Sequence, residues 1–456
     1  MRKENDQQMP LTYMGVNHPR AKELKRISRI LDENPIINKM VLQDLTRGRK
    51  ISATGAGGMS AEQVVRAAIV KEIEGCPYRE LEFHIVDSRT YREFLRIGVA
   101  HKGWKKSALS SNIKAISGET WKAINCILMA YGEDKGIEKG RETRIDCTVV
   151  SSNIHEPTDS SLLWDCVRVL GRMLSQVKKE FTELEVSITD HRKRAKQRLM
   201  EIMNAKDEAA RKEPYIGLLR LTANTVGYAK KAVPLLKEYP CSSVSQILLA
   251  ESLAWGLNHY IELTEKVMDQ TERRVVHGEK VPASEKIVSI FEPHTDIIVK
   301  DRREPLFGHK VCLNIGPSNL ISDCLILDGN PADSTLTVQM LDRHNKVYGR
   351  YPLKVALDGG FASKDNLKAA KERGIKDVCF ARKRGIEVED MCRSEYVYNR
   401  LRRFRAGVES GISWLKRCLG FAMCTWKGLR AFKSYVWASI VTANLLTLAR
   451  KVEFHK

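Results

Sequence analysis

No run of about 18 apolar residues occurs anywhere in the chain, so a membrane-spanning helix is excluded at the sequence level. The start, residues 1–8, is polar and charged with no apolar stretch behind it, and no export signal is expected. None of the eleven cysteines forms a Cys-x-x-Cys pair, so the spacing that marks a zinc site is missing. Their odd number, without an export signal, points to reduced thiols and a cytoplasmic location. Acidic residues are also short: 56 Asp and Glu face 76 Lys and Arg, a net charge of +20. A field of that sign gathers polyanions, nucleic acid first among them. What is there is an ordinary globular composition, 43% hydrophobic and 29% charged over 456 residues, enough for two or three parts.

Residues 1–55 read as polar and broken, with Pro10, Pro19 and Pro35, and 54–59 as a Gly-rich loop. Ser60 and Gln63 form a capping box for a helix whose apolar positions include Val65, Ala68, Ile69 and Ile73. A short helix is expected after Gly75, through Leu81 and Phe83. A turn at 107–113 and a helix over 121–131 should follow. Two readings stand for this module: a helix-turn-helix-like DNA binder or a plain helical scaffold. Residues 144–150 predict a buried strand. Leu163, Val167, Leu170, Leu174, Val177, Phe181, Leu184 and Ile188 keep a 4,3 spacing, which predicts one coiled-coil-like helix across all of them. Further helices are expected near 216–237 and 243–275, with Pro214, Pro234 and Pro240 as breaks.

From 287 onward the pattern becomes strand-like, at 287–291, 310–315, 320–327, 353–357 and 377–381, with helices at about 333–345 and after Ser363. The segment 394–450 reads as largely helical. Strands alternating with helices argue for an α/β core, interrupted by a helical block after its first strand. The expected domains are 1–135, a helical N-terminal part; 140–157 with 280–456, the α/β part; and 158–279, the helical insertion.

Three carboxylates stand out by context. Asp146 sits inside an apolar strand, where an uncompensated carboxylate is costly and a cation or metal would relieve it. Asp358 ends the strand Val355-Ala-Leu-Asp and precedes two glycines, at the kind of strand end where α/β folds place their sites. The similar Asp328-Gly-Asn-Pro reads as a turn. Glu409 lies beside an apolar helical stripe, with Arg402, Arg405 and Lys416 at i−7, i−4 and i+7 on its own face. A carboxylate for a divalent ion beside cations for phosphate suits phosphodiester chemistry. Taken singly, each also has a plain account: a strand-end accident, a turn and a solvated ion-pair face.

Together these segments resemble the bacterial insertion-sequence transposases of the DDE class, from about residue 55 to the C-terminus. Gly58-Met-Ser-Ala-Glu-Gln-Val-Val, Pro77-Tyr-Arg-Glu-Leu-Glu and Asp87-Ser-Arg-Thr-Tyr-Arg-Glu-Phe-Leu resemble the family's N-terminal helical domain. Asp146-Cys-Thr-Val-Val with Asn153-Ile-His-Glu-Pro resembles the strand of the first catalytic Asp, and Leu357-Asp-Gly-Gly-Phe-Ala-Ser the region of the second. Arg405, Glu409 and Lys416 match a signature helix of Tyr, Arg, Glu and Lys, while Arg402 replaces the tyrosine.

The resemblance implies a ribonuclease-H-like mixed sheet flanked by helices, with a helical N-terminal domain and a large helical insertion. It implies Asp146, Asp358 and Glu409 as catalytic and metal-binding residues for two Mg²⁺ ions, with Mn²⁺ as substitute. Arg402, Arg405 and Lys416 would contact DNA. The expected substrates are double-stranded terminal inverted repeats and target DNA, handled by a homodimer associated with the nucleoid. The rival expectation is a non-catalytic DNA-binding derivative of such an enzyme.

Overall fold

The computed structural model describes residue 4 and residues 16–48, 58–98, 100–184, 187–299 and 304–452. Most of the loop expected at 54–59 lies outside these. The chain divides into two compact units, Met1–Asn153 with His309–Lys456, and Ile154–Gly308. Its strands are β1 (Glu142–Ser152), β2 (Asp296–Ile298), β3 (Leu306–Ile315), β4 (Ile321–Ile326), β5 (Lys354–Leu357), β6 (Asp377–Phe380) and β7 (Met423–Cys424) among the described residues.

In the first unit, β1 lies between β3 and β5, and β6 follows β5. β1, β5 and β6 run parallel, β4 pairs antiparallel with β3, and β7 pairs with the far end of β1. One apolar core joins the N-terminal helices, part of β3 and β4 and the helix Leu429–Lys451, which is buried along nearly its whole length. Buried amides tie this core to the sheet. Asn444 Nδ2 donates to Asn125 Oδ1 at 2.7 Å, and Asn444 Oδ1 accepts from Ile321 N at 2.8 Å. A second core lies among β1, β5, β6 and the helices Thr337–Tyr348, Lys364–Glu372 and Glu395–Ala406.

The N-terminal stretch is more ordered than its prolines suggest. Helices span Pro19–Asp32 and Ile36–Thr46, with Pro19 in the first turn, where its missing N–H costs nothing. Leu24, Ile27, Ile30 and Leu31 supply the buried face. Ser60 and Gln63 make the expected capping box for Ala61–Glu74, which ends at Gly75 in the left-handed region. The segment read as a turn at 107–113 is instead the helix Lys106–Ile113.

The second unit is a helical assembly of Asp159–Glu180, Arg192–Asn204, Glu208–Glu238 and Val244–Thr271. The heptad helix is shorter than its pattern. It stops at Phe181, whose extended φ of −126° ends the ladder, although Leu184 and Ile188 still pack on the same core. Pro214 and Pro234 lie within one continuous helix rather than breaking it. Packing of Leu218, Val226, Ala229 and Val233 outweighs the hydrogen bonds each ring removes. Residues 287–291 are irregular, not a strand. Gln270 satisfies the backbone of Ile287 through both its amide oxygen (2.8 Å) and nitrogen (3.1 Å), taking the place of a neighbouring strand.

Candidate active site

Asp146 is held in the middle of β1 between Ile145 and Cys147, both buried. Its Oδ1 accepts from the Cys147 N–H at 2.8 Å, leaving Oδ2 to face outward from the strand. The parallel register with β5 pairs Arg144 with Ala356 and Ile145 with Leu357. One further step along both chains brings Asp146 alongside Asp358, just where β5 ends. Two glycines follow Asp358, and neighbouring side chains approach both closely. A Cβ on Gly359 would lie 2.7 Å from Cβ of Arg382, and one on Gly360 would lie 2.8 Å from Oδ2 of Asp333. These contacts fix the path of the loop and hence the place of Asp358.

Glu409 comes from a different direction. The helix Glu395–Ala406 is capped by Ser394 and pinned to the sheet at three points. Tyr398 Oη donates to Phe380 O at 3.0 Å, Arg400 pairs with Glu142 at 2.9 Å, and Arg144 Nη1 donates to Phe404 O at 2.8 Å. Arg144 is 4% exposed; its guanidinium lies over the Phe404 ring and also donates to Asn319 Oδ1 at 2.5 Å. Burial lowers its pKa.

The helix expected to carry Arg402, Arg405, Glu409 and Lys416 on one face breaks at Gly407, and a second one, Val408–Cys418, starts there with Glu409 in its first turn. Arg144 bears on this break: its Nη1 takes the carbonyl of Phe404 in the last turn of the first helix, and it would lie 2.7 Å from a Cβ on Gly407. Arg402, on the first helix, is exposed and makes no ion pair among the described residues. Lys416 is half-buried on the second helix, two turns from Glu409.

The three carboxylates converge on one cation. Arg405 Nη2 lies 3.3 Å from Asp146 Oδ2 and 3.2 Å from Asp358 Oδ1, and its Nη1 lies 3.1 Å from Glu409 Oε1. Exposure of the acid side chains rises from 13% at Asp146 through 41% at Asp358 to 73% at Glu409, so the cluster opens to solvent on the helix side. Among the described residues no three His, Cys, Asp or Glu side chains form a ready ligand set for one ion. The guanidinium stands among them instead. Three hard oxygen donors already gathered round a positive charge are a donor set that fits a divalent cation such as Mg²⁺.

Sequence reasoning missed Arg144 and Gly407 as parts of this site. Arg144 has one local signal, its place two residues before Asp146 on the same face of β1. Gly407 has none, because its constraint comes from a distant strand.

Two families match the chain: the transposase domain (DUF772) over residues 15–115 and the transposase DDE domain over 299–445. The second match contains Asp358, Arg405 and Glu409. Asp146 lies outside both stretches and joins the site by the register of β1 on β5. No curated protein and no solved structure matches. The mixed sheet flanked by helices is a ribonuclease-H-like core, and families of this kind work on DNA with divalent ions. No helix among the described residues is long and apolar enough to cross a membrane. With an acidic cluster set on such a sheet and both transposase domains matched, the chain belongs to the DDE transposases of insertion sequences.

Proposed function

We propose that Asp146, Asp358 and Glu409 are the catalytic carboxylates and hold two Mg²⁺ ions, or Mn²⁺ in their place, for cleavage at insertion-sequence ends and joining of the 3′-hydroxyl to target DNA. The observation that carries this reading is the meeting of three carboxylates, from β1, the end of β5 and the helix Val408–Cys418, on the single guanidinium of Arg405. Bound there, divalent ions supply positive charge to the attacking and leaving oxygens of an in-line displacement. The chain's own groups do the rest. Asp146 and Asp358 fix the spacing of the ligands through the β1–β5 register. Arg405 holds the three acids close together and would be placed to contact the phosphate backbone beside them. Arg402 and Lys416 flank it as further phosphate contacts, and the rigid anchor for this helix pair is Arg144.

The N-terminal helices, residues 1–135, recognise the terminal inverted repeats. The α/β part, 140–157 with 280–456, performs the chemistry. The helical insertion, 158–279, shapes a synaptic homodimer that holds two ends. The enzyme works in the cytoplasm at the nucleoid.

Asp146→Asn, Asp358→Asn and Glu409→Gln keep the size of each side chain and remove its charge. Cleavage of the element's own ends in Mg²⁺ is expected to fall by about 10³-fold or more for each, with end binding retained. Full cleavage by any one of them would remove that residue from the site.

A further inference from the structure

β6 runs into the segment Ala381-Arg-Lys-Arg-Gly385 at the same edge of the sheet where β5 runs into Asp358. The two strands are parallel with Leu357 opposite Phe380, and Ala381 N donates to Leu357 O at 2.9 Å. Arg382 is therefore a near neighbour of the Asp358 loop. Its stem lies along that loop, with Cβ, Cγ and Cδ 2.7, 2.9 and 3.1 Å from where a Cβ on Gly359 would be. The strand order β1-β5-β6 puts this segment on the far side of Asp358 from Asp146.

Three cations in succession, Arg382, Lys383 and Arg384, are exposed there, and none forms an ion pair among the described residues. Nearby arginines behave otherwise: Arg373 pairs with Asp342, Arg393 with Asp377 and Arg400 with Glu142. Arg384 also adopts a φ of +48°, a conformation uncommon for a residue with a side chain, followed by Gly385 at +78°. The turn is closed by Ile386 N donating to Lys383 O at 3.0 Å. A tight turn that displays three unneutralised cations, at a cost in backbone strain, is organised for an anion.

We propose that Arg382, Lys383 and Arg384 form a phosphate clamp that holds the DNA backbone on the Asp358 side of the acidic site. It flanks Asp358 on the side away from Asp146. The inference rests on the reading of the acidic cluster as the place of strand cleavage. The clamp acts by position and charge; none of its residues touches the reacting atoms.

The test uses the full chain and a duplex carrying the element's end, with the dissociation constant measured against salt concentration and cleavage followed in Mg²⁺. Removing one cation from the phosphate backbone lowers the slope of log K against log salt by about 0.9. The triple variant Arg382→Ala, Lys383→Ala, Arg384→Ala is expected to lower that slope by about two to three and to bind at least about tenfold more weakly near 0.1 M salt. Arg384→Gly gives a variant whose fold is safe, since glycine accepts the left-handed turn, and its slope should fall by about one. Arg382→Lys should keep the slope.

Unchanged slopes in both the triple variant and Arg384→Gly, with unsubstituted protein cleaving normally, overturn the clamp and leave the acidic site standing. Failure of the unsubstituted protein to cleave its ends in Mg²⁺ would instead overturn the reading of the site on which the clamp depends.

Discussion

Charge runs through the interior of the unit that carries the acidic site, whereas the core between the long helices of the other unit is aliphatic. In the first, Arg66 is 1% exposed and is met by Glu62, Asp32, Ser28 and the carbonyl of Phe94. Glu138 accepts from Ser318 N and Oγ beneath the β3–β4 turn, and Arg144 ties β1 to the helix before Gly407. In the second, Leu170, Leu174, Val177, Val226, Ala229, Leu253 and Leu257 make up the core between the long helices. Aliphatic contacts are non-directional and tolerate small shifts. A buried guanidinium does not, because each donor needs its acceptor at a set distance and angle. The first unit thus fixes where side chains point, which a catalytic cluster needs. The aliphatic core of the second holds its long helices together, and directed pairs there, Asp159 with Arg274 and Asp165 with Arg168, lie outside that core.

That contrast is most directly broken by one deletion in each unit. Leu257→Ala, at a fully buried position, should cost about 2–5 kcal/mol of stability, read in denaturant unfolding. Below its transition it should leave Mn²⁺ binding at the acidic cluster unchanged. Arg144→Ala should cost about 2–3 kcal/mol, because the carbonyl of Phe404 and the amide of Asn319 lose a charged donor. It should also disorder the approach of Arg405 and Glu409, so cleavage falls by more than the stability loss explains. If both variants lose stability alone, the guanidinium is packing like any other, and the difference between the units is one of composition only.

The same contrast explains which features were legible in the sequence. The Asp146 strand was readable because one carboxylate interrupts an otherwise apolar run, and the Glu409 helix because its cations repeat at helical spacing. Both signals are local. The break at Gly407 was not readable, since the Arg144 side chain that bears on it reaches across from β1. The strand expected at 287–291 failed for a related reason. Its β-branched residues favour extension, but a Gln270 side chain, rather than a strand, holds the backbone of Ile287. Proline misled in both directions. At Pro19 it starts a helix, and at Pro214 and Pro234 it is carried inside one by tertiary packing. The heptad pattern found the right buried face but not the end of its helix, because Leu184 and Ile188 keep the spacing while packing from beyond it.

A smaller effect sharpens the role of directed charge at the site itself. Arg405 competes with cations for the same three carboxylates, so removing it should tighten metal binding even as it impairs catalysis. Arg405→Gln is expected to bind Mn²⁺ about tenfold more tightly without DNA, a gain of about 1.4 kcal/mol, when followed by titration of the free ion. The same variant should cleave more slowly in saturating Mg²⁺, because a phosphate contact is gone. A guanidinium that only repairs the fold predicts the opposite, weaker Mn²⁺ binding as the three acids separate.

The smallest expected effect concerns a buried charge away from the acidic cluster. Asp377 begins β6 with its side chain fully buried, and Arg393 donates to it from its backbone N (3.1 Å), Nε (3.2 Å) and Nη2 (3.0 Å). Burial alone would raise the carboxyl's pKa, but these hydrogen bonds and the arginine charge outweigh it, and the net displacement is downward. A carboxyl whose folded pKa lies below its unfolded one contributes stability above the unfolded value, about 3.9. That contribution disappears as the pH falls through the folded value. Arg393→Gln removes the stabilising charge while burial still acts, so acid unfolding should begin at higher pH. The arginine is largely exposed, and solvent screening keeps the shift small. Superimposable acid-unfolding curves, followed by circular dichroism, would mean that Arg393 rests on the surface of β6 and that its geometry there directs nothing. Leu257→Ala, which leaves every buried charge in place, should unfold in acid with the same proton uptake as the unsubstituted chain. A shared shift in both variants would trace the pH response to global stability rather than to this carboxylate.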